Sequence, residues 1–120
     1  MENHKAHEAQ VLEIKTAKGI KYISYNKVIF IKAENRGTII FLNNSERIFT
    51  KYPIKWYEGF LLNPYFFRCH NSYIFNCNYF DCLCSSDIVL KGNIRIPLSR
   101  NRKVSLKENQ ILLEQDFNGK

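Results

Sequence analysis

The chain has 120 residues, enough for one domain with a single core but with little room for a second folded unit. Hydrophobic residues make up 45% of it, which excludes intrinsic disorder as its overall state. The 18 Lys and Arg residues against 11 Asp and Glu give a net charge of +7, which favours acidic partners such as nucleic acid. No apolar run approaches the roughly 20 residues of a membrane span, and the start lacks secretory features. We therefore expect a cytoplasmic protein with no membrane partner, beginning with a polar tail over residues 1–10.

The first half of the chain predicts short antiparallel strands. Residues 11–25 predict a hairpin with its turn at Lys18-Gly19. Residues 28–33 are nearly all apolar, residues 34–37 have turn chemistry, and residues 38–42 predict the next strand. Polar and apolar residues then alternate over 46–50, after a turn at Asn43-Asn44. We therefore expect a meander of about five strands.

A short helix is predicted next, because Pro53 suits a first helical turn and apolar residues follow at helical spacing. Those residues are Ile54, Tyr57, Phe60 and Leu61. The helix must end before Asn63-Pro64, since the residue that precedes a proline is pushed out of the helical region.

The second half of the chain is harder to interpret. Residues 65–84 show no clean period and predict irregular turns that lead into a strand at 79–84. Residues 88–90 and 94–96 predict two more strands around a turn at 91–93. Ser99 is placed to cap a C-terminal helix that runs through Leu112.

Basic residues cluster near the C-terminus: residues 91–107 contain 6 Lys or Arg and no acidic residue. Arg100, Arg102 and Lys103 follow Ser99 at the predicted helix start, where backbone N–H groups favour a phosphate. Arginine also bridges guanine O6 and N7, and asparagine pairs with adenine. The segment suits a loop that faces a DNA duplex, and a solvated charged face is the alternative.

A second polar cluster, residues 68–72, lies between aromatic residues and predicts a rigid loop. On its own, His70 is more often a structural histidine than a catalytic base, because no acid partner accompanies it in a motif. Asn71 fits an ordinary turn equally well. The cluster alone therefore identifies no function.

Two segments together resemble the signature of the LytTR-type DNA-binding domain: FFRCHNSYIFN at 66–76 and IPLSR at 96–100. The strand at 28–34 resembles the family's early strand that ends at a glutamate, so the similarity extends from about residue 11 to residue 112. We place the domain at residues 11–117. The resemblance implies a mainly β fold, with short antiparallel strands in small sheets, one short central helix and a C-terminal helix.

The resemblance also implies sequence-specific binding of duplex DNA by a bacterial transcriptional regulator whose loops enter successive major grooves. Asn35, Arg36, Asn71 and Arg100 resemble the family's base contacts, and Arg102 and Lys103 its phosphate contacts. His70 and Ser72 match the motif, and we expect them mainly to fix the loop by hydrogen bonding. The complete predicted DNA-binding set is Asn35, Arg36, His70, Asn71, Ser99, Arg100, Arg102 and Lys103.

The implied partners are promoter DNA with repeated sites bound by two copies of the chain, and a separate regulatory protein. The family usually carries a receiver domain, which 120 residues cannot contain beside this domain. We therefore expect a stand-alone regulator or a part of a longer chain, and the start of the sequence favours the former.

Other function classes fit less well. The chain lacks phosphate-binding glycine loops and hydrolase or zinc-protease motifs, so we predict no catalytic residue and no cofactor. The ligand types Cys69, His70, Cys77, Cys82 and Cys84 lack zinc-site spacing, and we expect reduced cysteines and no metal. Oxidation of Cys69 would interfere with the adjacent loop if its thiol were accessible. A binder of RNA or single strands, with a basic, aromatic β surface, and a protein-interaction module remain alternatives.

Overall fold

The structure is a computed structural model that describes residues 10–59, 61 and 65–102. Within these residues it has ten β-strands, one short α-helix, a helical stretch at residues 100–102 and two 3-10 turns, the latter at Tyr25–Lys27 and Cys77–Tyr79. The strands and the helix are β1 Val11–Thr16, β2 Gly19–Ser24, β3 Val28–Glu34, β4 Gly37–Leu42, β5 Arg47–Thr50, α1 Ile54–Glu58, β6 Phe66–His70, β7 Tyr73–Asn76, β8 Phe80–Cys84, β9 Asp87–Leu90 and β10 Ile94–Pro97. The predicted mainly β fold of short antiparallel strands is confirmed.

The strands form three separate antiparallel sheets: β1-β2, β10-β9-β8, and a central sheet in the order β5-β4-β3-β7-β6. The predicted strands β1 to β5 all exist, but the single five-stranded meander is wrong. Strand β3 pairs with β4 on one edge and with the much later β7 on the other. No edge of β3 is left for β2, so the first hairpin forms its own sheet.

The central sheet is buried on both faces because adjacent residues of a strand point to opposite sides. Ile31 of β3 packs in one core with α1 and the β1-β2 hairpin, and its neighbour Phe30 packs in the other core with the β8-β9-β10 sheet. The first core includes Leu12, Ile14, Ile23, Ile40, Ile54, Tyr57 and Ile74, and the second includes Cys69, Phe75, Ile88, Leu90, Ile96 and Leu98. The fold is therefore three-layered around one sheet.

The predicted irregular region between residues 65 and 79 is instead the β6-β7 hairpin, so that prediction is wrong. Strand β7 is buried at three of its four residues because β3 and β6 flank it and both of its faces are covered. A strand in that position carries no polar and apolar alternation. The register of β6 also shifts at Cys69, which further obscures the period.

Helix α1 begins after Pro53 as predicted and ends at Glu58, so Leu61, which the prediction placed in the helix, lies outside it. It buries Ile54 and Tyr57 against the sheet. The Tyr57 hydroxyl lies 2.8 Å from Thr38 Oγ1 and 3.1 Å from Thr50 Oγ1, and the two threonine oxygens are 2.8 Å apart. Burial raises the pKa of Tyr57. All three side chains are buried and hydrogen-bonded, which attaches the helix to β4 and β5 without an unsatisfied polar group.

The predicted cap of the C-terminal helix is present: Ser99 Oγ accepts a hydrogen bond of 3.2 Å from the backbone N–H of Arg102. Residues 100–102 are helical. The rest of that predicted helix, the predicted domain end at 117 and residues 1–9 of the predicted tail lie outside the described residues. Within the described part of the chain, no helix is long and apolar enough to cross a membrane.

Gly37 is required by a close backbone approach, since a Cβ atom there would lie 2.1 Å from the Thr50 carbonyl oxygen. We expect Gly37→Ala to lower the free energy of unfolding by about 2 kcal/mol, measured by urea denaturation, because backbone atoms must move apart. Gly59→Ala is the control: its nearest new contact is 3.6 Å and its φ is −68°, so stability should hold or rise by up to about 1 kcal/mol. Equal losses in both variants would contradict this explanation.

Candidate nucleic-acid interface

Two of the predicted loops lie at the same end of the central sheet. The turn Asn35-Arg36 follows β3, and the turn Asn71-Ser72 precedes β7. Since β3 and β7 are antiparallel neighbours, the end of one lies beside the start of the other. The backbone N–H of Ala33 donates to the Ser72 carbonyl at 2.8 Å, which joins the two turns directly. We call this end of the sheet the Asn71 end.

The β3-β4 turn is a tight two-residue hairpin. Asn35 has φ of 52° and Arg36 has φ of 69°, and positive φ at both central residues is the mark of a type I′ turn. This conformation costs a non-glycine residue about 1–2 kcal/mol, so the flanking strand pairs must impose it on Arg36. Both side chains are exposed. The turn therefore presents Asn35 and Arg36 from a rigid backbone.

Hydrogen bonds inside the protein hold the β6-β7 turn. Arg68 donates from Nε to the His70 carbonyl at 3.2 Å and from Nη2 to the Asn71 carbonyl. The backbone N–H of Ser72 donates to His70 Nδ1 at 3.1 Å, so the imidazole proton lies on Nε2. His70 and Ser72 thus hydrogen-bond to each other within the turn, His70 through its side chain and Ser72 through its backbone. The Asn71 side chain is exposed.

The start of the C-terminal helix joins the same end of the sheet. The Ser99 backbone N–H donates to the Cys69 carbonyl at 2.9 Å. Cys69 is the extra residue of the β6 bulge, lying between Arg68 and His70, which keep their partners on β7. A bulge frees backbone groups from the ladder and re-aims nearby side chains. The two halves of the sequence signature, 66–76 and 96–100, therefore meet in space.

Glu58, the last residue of α1, connects these parts by charge. Its Oε1 atom accepts a hydrogen bond of 2.7 Å from Arg68 Nη1, and its Oε2 atom lies 3.9 Å from Arg102 Nη1. The Arg68 side chain is only 11% exposed, so this is a charge-assisted bond in a partly desolvated place. One carboxylate thus links the helix, the Asn71 turn and the Arg102 segment. Sequence reasoning did not assign Glu58 or Arg68 to the site, although Arg68 is part of the matched motif.

The predicted residues divide into two groups by their surroundings. Four have exposed side chains with no hydrogen-bond or ion-pair partner among the described residues: Asn35, Arg36, Asn71 and Arg100. Three are half-buried and bonded within the protein: His70, Ser99 and Arg102. Lys103 lies outside the described residues.

The described part of the basic segment, residues 91–102, does not lie at one end of the sheet. Lys91 lies in the β9-β10 turn, and β10 then runs from this turn to the Asn71 end, where Arg100 follows. Arg95 lies between them and pairs with Asp87 at 3.4 Å on an exposed face. Strand β10 therefore separates Lys91 from Arg100, and the two residues lie at opposite ends of the sheet.

None of the four cysteines, all of which lie in the described part of the chain, forms a disulfide bond. Burial raises the pKa of Cys69 and of Cys77 to about 12, so neither thiol supplies much of the reactive thiolate at neutral pH. Cys69 is fully buried, which removes the accessibility that oxidation at this position would need. Among the described residues, no group of three or more His, Cys, Asp or Glu side chains is placed to hold a metal ion.

Comparison with known proteins identifies a matching family and a solved structure with a similar fold. The family model described as the LytTR DNA-binding domain matches residues 18–110. A solved LytTR DNA-binding domain from a Bacillus cereus protein, described as a methyl-accepting/DNA response regulator, superposes with a TM-score of 0.71. The two chains are 23% identical, and the match covers 83% of this chain and 95% of that one. No curated protein matches the chain.

The partly buried Glu58 pair should contribute measurably to stability. We expect Glu58→Gln to lower the free energy of unfolding by about 1–2 kcal/mol in urea denaturation, because Arg68 loses its charged acceptor. Glu46→Gln removes an equal charge from an ion pair with Lys21 whose two side chains are each 46% exposed. That control should unfold almost as the parent does, since water already screens the pair. Similar losses in the two variants would show that Glu58 acts only through net charge.

Proposed function

The chain belongs to the LytTR family of DNA-binding domains, and from this premise we propose that it recognises a particular duplex sequence as a bacterial transcriptional regulator. The observation that supports sequence reading best is a set of side chains at the Asn71 end that have no partner within residues 10–59, 61 and 65–102: Asn35, Arg36, Asn71 and Arg100. Asparagine and arginine carry the donors and acceptors that match base edges in a major groove. Their supporting turns are held by hydrogen bonds, so little conformational entropy is lost when they bind.

In this proposal the two turns and the start of the C-terminal helix contact different parts of the DNA. Asn71 and Arg100 contact base edges, and Asn35 and Arg36 contact a neighbouring groove from the β3-β4 turn. Arg102 and Lys103 contact phosphates, where the capped helix start also offers backbone N–H groups. His70 and Ser99 stay bonded within the protein and set the positions of the groups beside them. The chain thus acts as a binding module rather than an enzyme.

The proposal also covers the cellular location of the protein and its partners. A regulator of this kind acts in the bacterial cytoplasm, where the promoter DNA lies. We propose repeated sites bound by two copies, because a monomer with one set of turns reads a short sequence. A separate regulatory protein would then supply the input signal.

A single-strand binder would need exposed aromatic side chains on which bases stack. Most rings of the central sheet are packed inside, such as Phe30 and Phe75 in the second core. The largest exposed apolar side chains are Ile20, Tyr22, Phe49 and Trp56, and none of them belongs to the predicted DNA-binding set. A single-strand binder would therefore have to use these rings rather than the turns of the Asn71 end.

The direct test is selection of bound fragments from a random duplex library at near-physiological salt, with a single-stranded library alongside. We expect enrichment of a short repeated duplex motif, because base contacts raise specific over nonspecific affinity by a factor of at least about 10³. Uniform recovery of duplexes would reduce the Asn71 end to a nonspecific surface. Preferential recovery of single strands would favour the stacking alternative instead.

On the selected site, Arg100→Ala should cost about 1–3 kcal/mol of binding free energy and flatten the preference at one base pair. Lys103→Ala should weaken binding to all DNA sequences by the same factor. It should also lower the steepness of the dependence of log K, the association constant, on log salt concentration by about one. Arg47→Ala is the matched charge control, because Arg47 begins β5 at the opposite end of the sheet. Fluorescence anisotropy over a salt series measures all three, and equal losses from Arg100→Ala and Arg47→Ala would refute the assignment of Arg100.

A further inference from the structure

Lys51 lies at the Asn71 end of the central sheet, beside the β3-β4 turn. It directly follows β5, whose last residue Thr50 pairs with Thr38 of β4, so Gly37 is the next position of β4 in that register. The backbones are close there, since a Cβ atom at Gly37 would lie 3.2 Å from the Lys51 Cα atom. Because Gly37 directly follows Arg36, Lys51 is a spatial neighbour of a residue in the predicted DNA-binding set. Its place in the sequence gave no sign of this.

The order of the strands puts Lys51 at the outer edge of a row of polar side chains. The order is β5-β4-β3-β7-β6, the Asn35-Arg36 turn joins β3 to β4, and the turn at Asn71 joins β6 to β7. Four strand spacings separate β5 from β6, which is about 19 Å. Arg100 joins the row at the β6 edge, where the residue before it bonds to that strand. The row therefore has Lys51 at one edge and Arg100 at the other, with the proposed base contacts between them.

A cleft of about 460 Å³ lies beside Lys51, between the end of β1 and the segment that links β5 to α1. We call it the Lys51 cleft, and its described lining residues are Lys15, Thr16, Ala17, Phe49, Thr50, Lys51 and Tyr52. None of these is acidic, and neither lysine forms an ion pair with a described residue. Glu13, two residues from Lys15 on β1, is exposed and is not paired with it. The cleft therefore has two cationic side chains and, among its described lining residues, no carboxylate to balance them.

Tyr52 adds a neutral hydrogen-bond donor to the Lys51 cleft. Its ring is held by stacking on Trp56, with ring centroids 4.0 Å apart, and its backbone carbonyl accepts a hydrogen bond of 2.9 Å from Thr38 Oγ1. The Tyr52 hydroxyl accepts a hydrogen bond of 3.2 Å from the backbone N–H of Lys15. The hydroxyl proton has no acceptor among the described residues, although a phenol can donate as well as accept. An anion with several oxygen atoms would supply that acceptor and balance the two lysines.

These groups suit a phosphate more than the edge of a base. Lysine carries a point charge on a flexible stem, which binds phosphate without the directional match that base reading needs. Duplex DNA carries one phosphate charge per about 1.7 Å of its axis, so a cation at the edge of a base-reading row lies close to backbone phosphates.

We propose that the Lys51 cleft binds a phosphate group of the DNA backbone, on the flank of the sequence that the Asn35-Arg36 turn contacts. Lys15 and Lys51 supply the positive charge, and the Tyr52 hydroxyl donates one hydrogen bond. This inference rests on the DNA binding proposed above and adds three residues that the sequence did not assign to it. The cleft holds the duplex at the β5 edge of the sheet, while Arg102 holds it at the other.

The first test is the salt dependence of DNA binding, measured by fluorescence anisotropy on the selected duplex and on an unrelated duplex of equal length. The double variant Lys15→Ala/Lys51→Ala should lower the steepness of log K against log salt concentration by about one on both duplexes, because one phosphate contact is lost. At ~0.15 M salt this corresponds to a loss of affinity of about fivefold. Arg47→Ala/Lys91→Ala removes the same net charge from the opposite end of the sheet and should change neither quantity. Equal changes in the two double variants would overturn the proposal.

Tyr52→Phe separates a built site from a diffuse positive field. It keeps the ring that stacks on Trp56 and removes one neutral donor. Affinity for both duplexes should fall by about twofold to fivefold with the salt steepness unchanged, because a neutral group displaces no counterions. Tyr22→Phe removes a hydroxyl from an exposed tyrosine of β2 and should bind as the parent does. If Tyr52→Phe also binds as the parent does, the assigned site is wrong.

Neutral methylphosphonate groups, placed one at a time along the selected duplex, locate the contact. The parent should lose affinity when one flanking phosphate is replaced. Lys15→Ala/Lys51→Ala should not respond to that replacement, since the partners of the phosphate are already missing. A double variant that is as sensitive as the parent at every position contradicts the proposal.

Inorganic phosphate distinguishes a DNA contact from a site for free anions. At matched ionic strength it should compete with the duplex no better than chloride does. Saturable binding of inorganic phosphate that Lys15→Ala/Lys51→Ala abolishes would mark a small-anion site and overturn the assignment to DNA.

The unrelated duplex keeps this inference separate from sequence reading, and urea denaturation shows that each variant is folded. If the library selection yields no motif but the steepness on the unrelated duplex still falls in Lys15→Ala/Lys51→Ala, sequence reading fails and the Lys51 cleft stands. If a motif is selected and the steepness does not fall, the Lys51 cleft fails and the proposed function stands.

Discussion

The carboxylate of Glu58, placed between two arginines, is the interaction on which the candidate interface depends. It accepts a hydrogen bond of 2.7 Å from Arg68, which is almost withdrawn from water and also donates to the carbonyls of His70 and Asn71. A guanidinium in that position needs its charge balanced, since burial of an unpaired cation is costly. Because the same carboxylate faces Arg102, the pairing also sets where the C-terminal helix begins relative to the turn.

A second constraint supports the interface from the other side of the sheet. The Thr38, Thr50 and Tyr57 hydroxyls bond to one another inside the first core, and Gly37 allows β4 to lie against the Thr50 backbone. Gly37 directly follows the strained turn residue Arg36. The positive φ of Arg36 is therefore maintained by tight strand packing rather than by the preference of arginine itself.

The two ends of the central sheet have different chemistry because different chain segments meet at each. At the Asn71 end, tight turns and a helix start leave polar and basic side chains without partners among the described residues. At the other end, the β8-β9-β10 sheet does not fully cover β4, which leaves Phe41 partly exposed beside Lys91.

Much of this protein follows from local patterns in its sequence. The turn at 91–93, the proline before α1 and the Ser99 cap are short-range effects, and the structure places each as the pattern predicts. The turn predicted at Lys18-Gly19 lies one residue earlier, at Ala17-Lys18, because Gly19 already pairs with Thr16 in the first hairpin. The paired motif predicted the family, and the turns bearing Asn35 and Asn71 do lie side by side. What only the tertiary structure decided involves residues far apart in the chain: the β3-β7 pairing, the bond between Glu58 and Arg68, and the separation of Lys91 from Arg100. Such contacts depend on which strand edges and which charged side chains remain unpaired after the sheets assemble. Local sequence patterns do not predict this, because the residues involved are far apart in the chain.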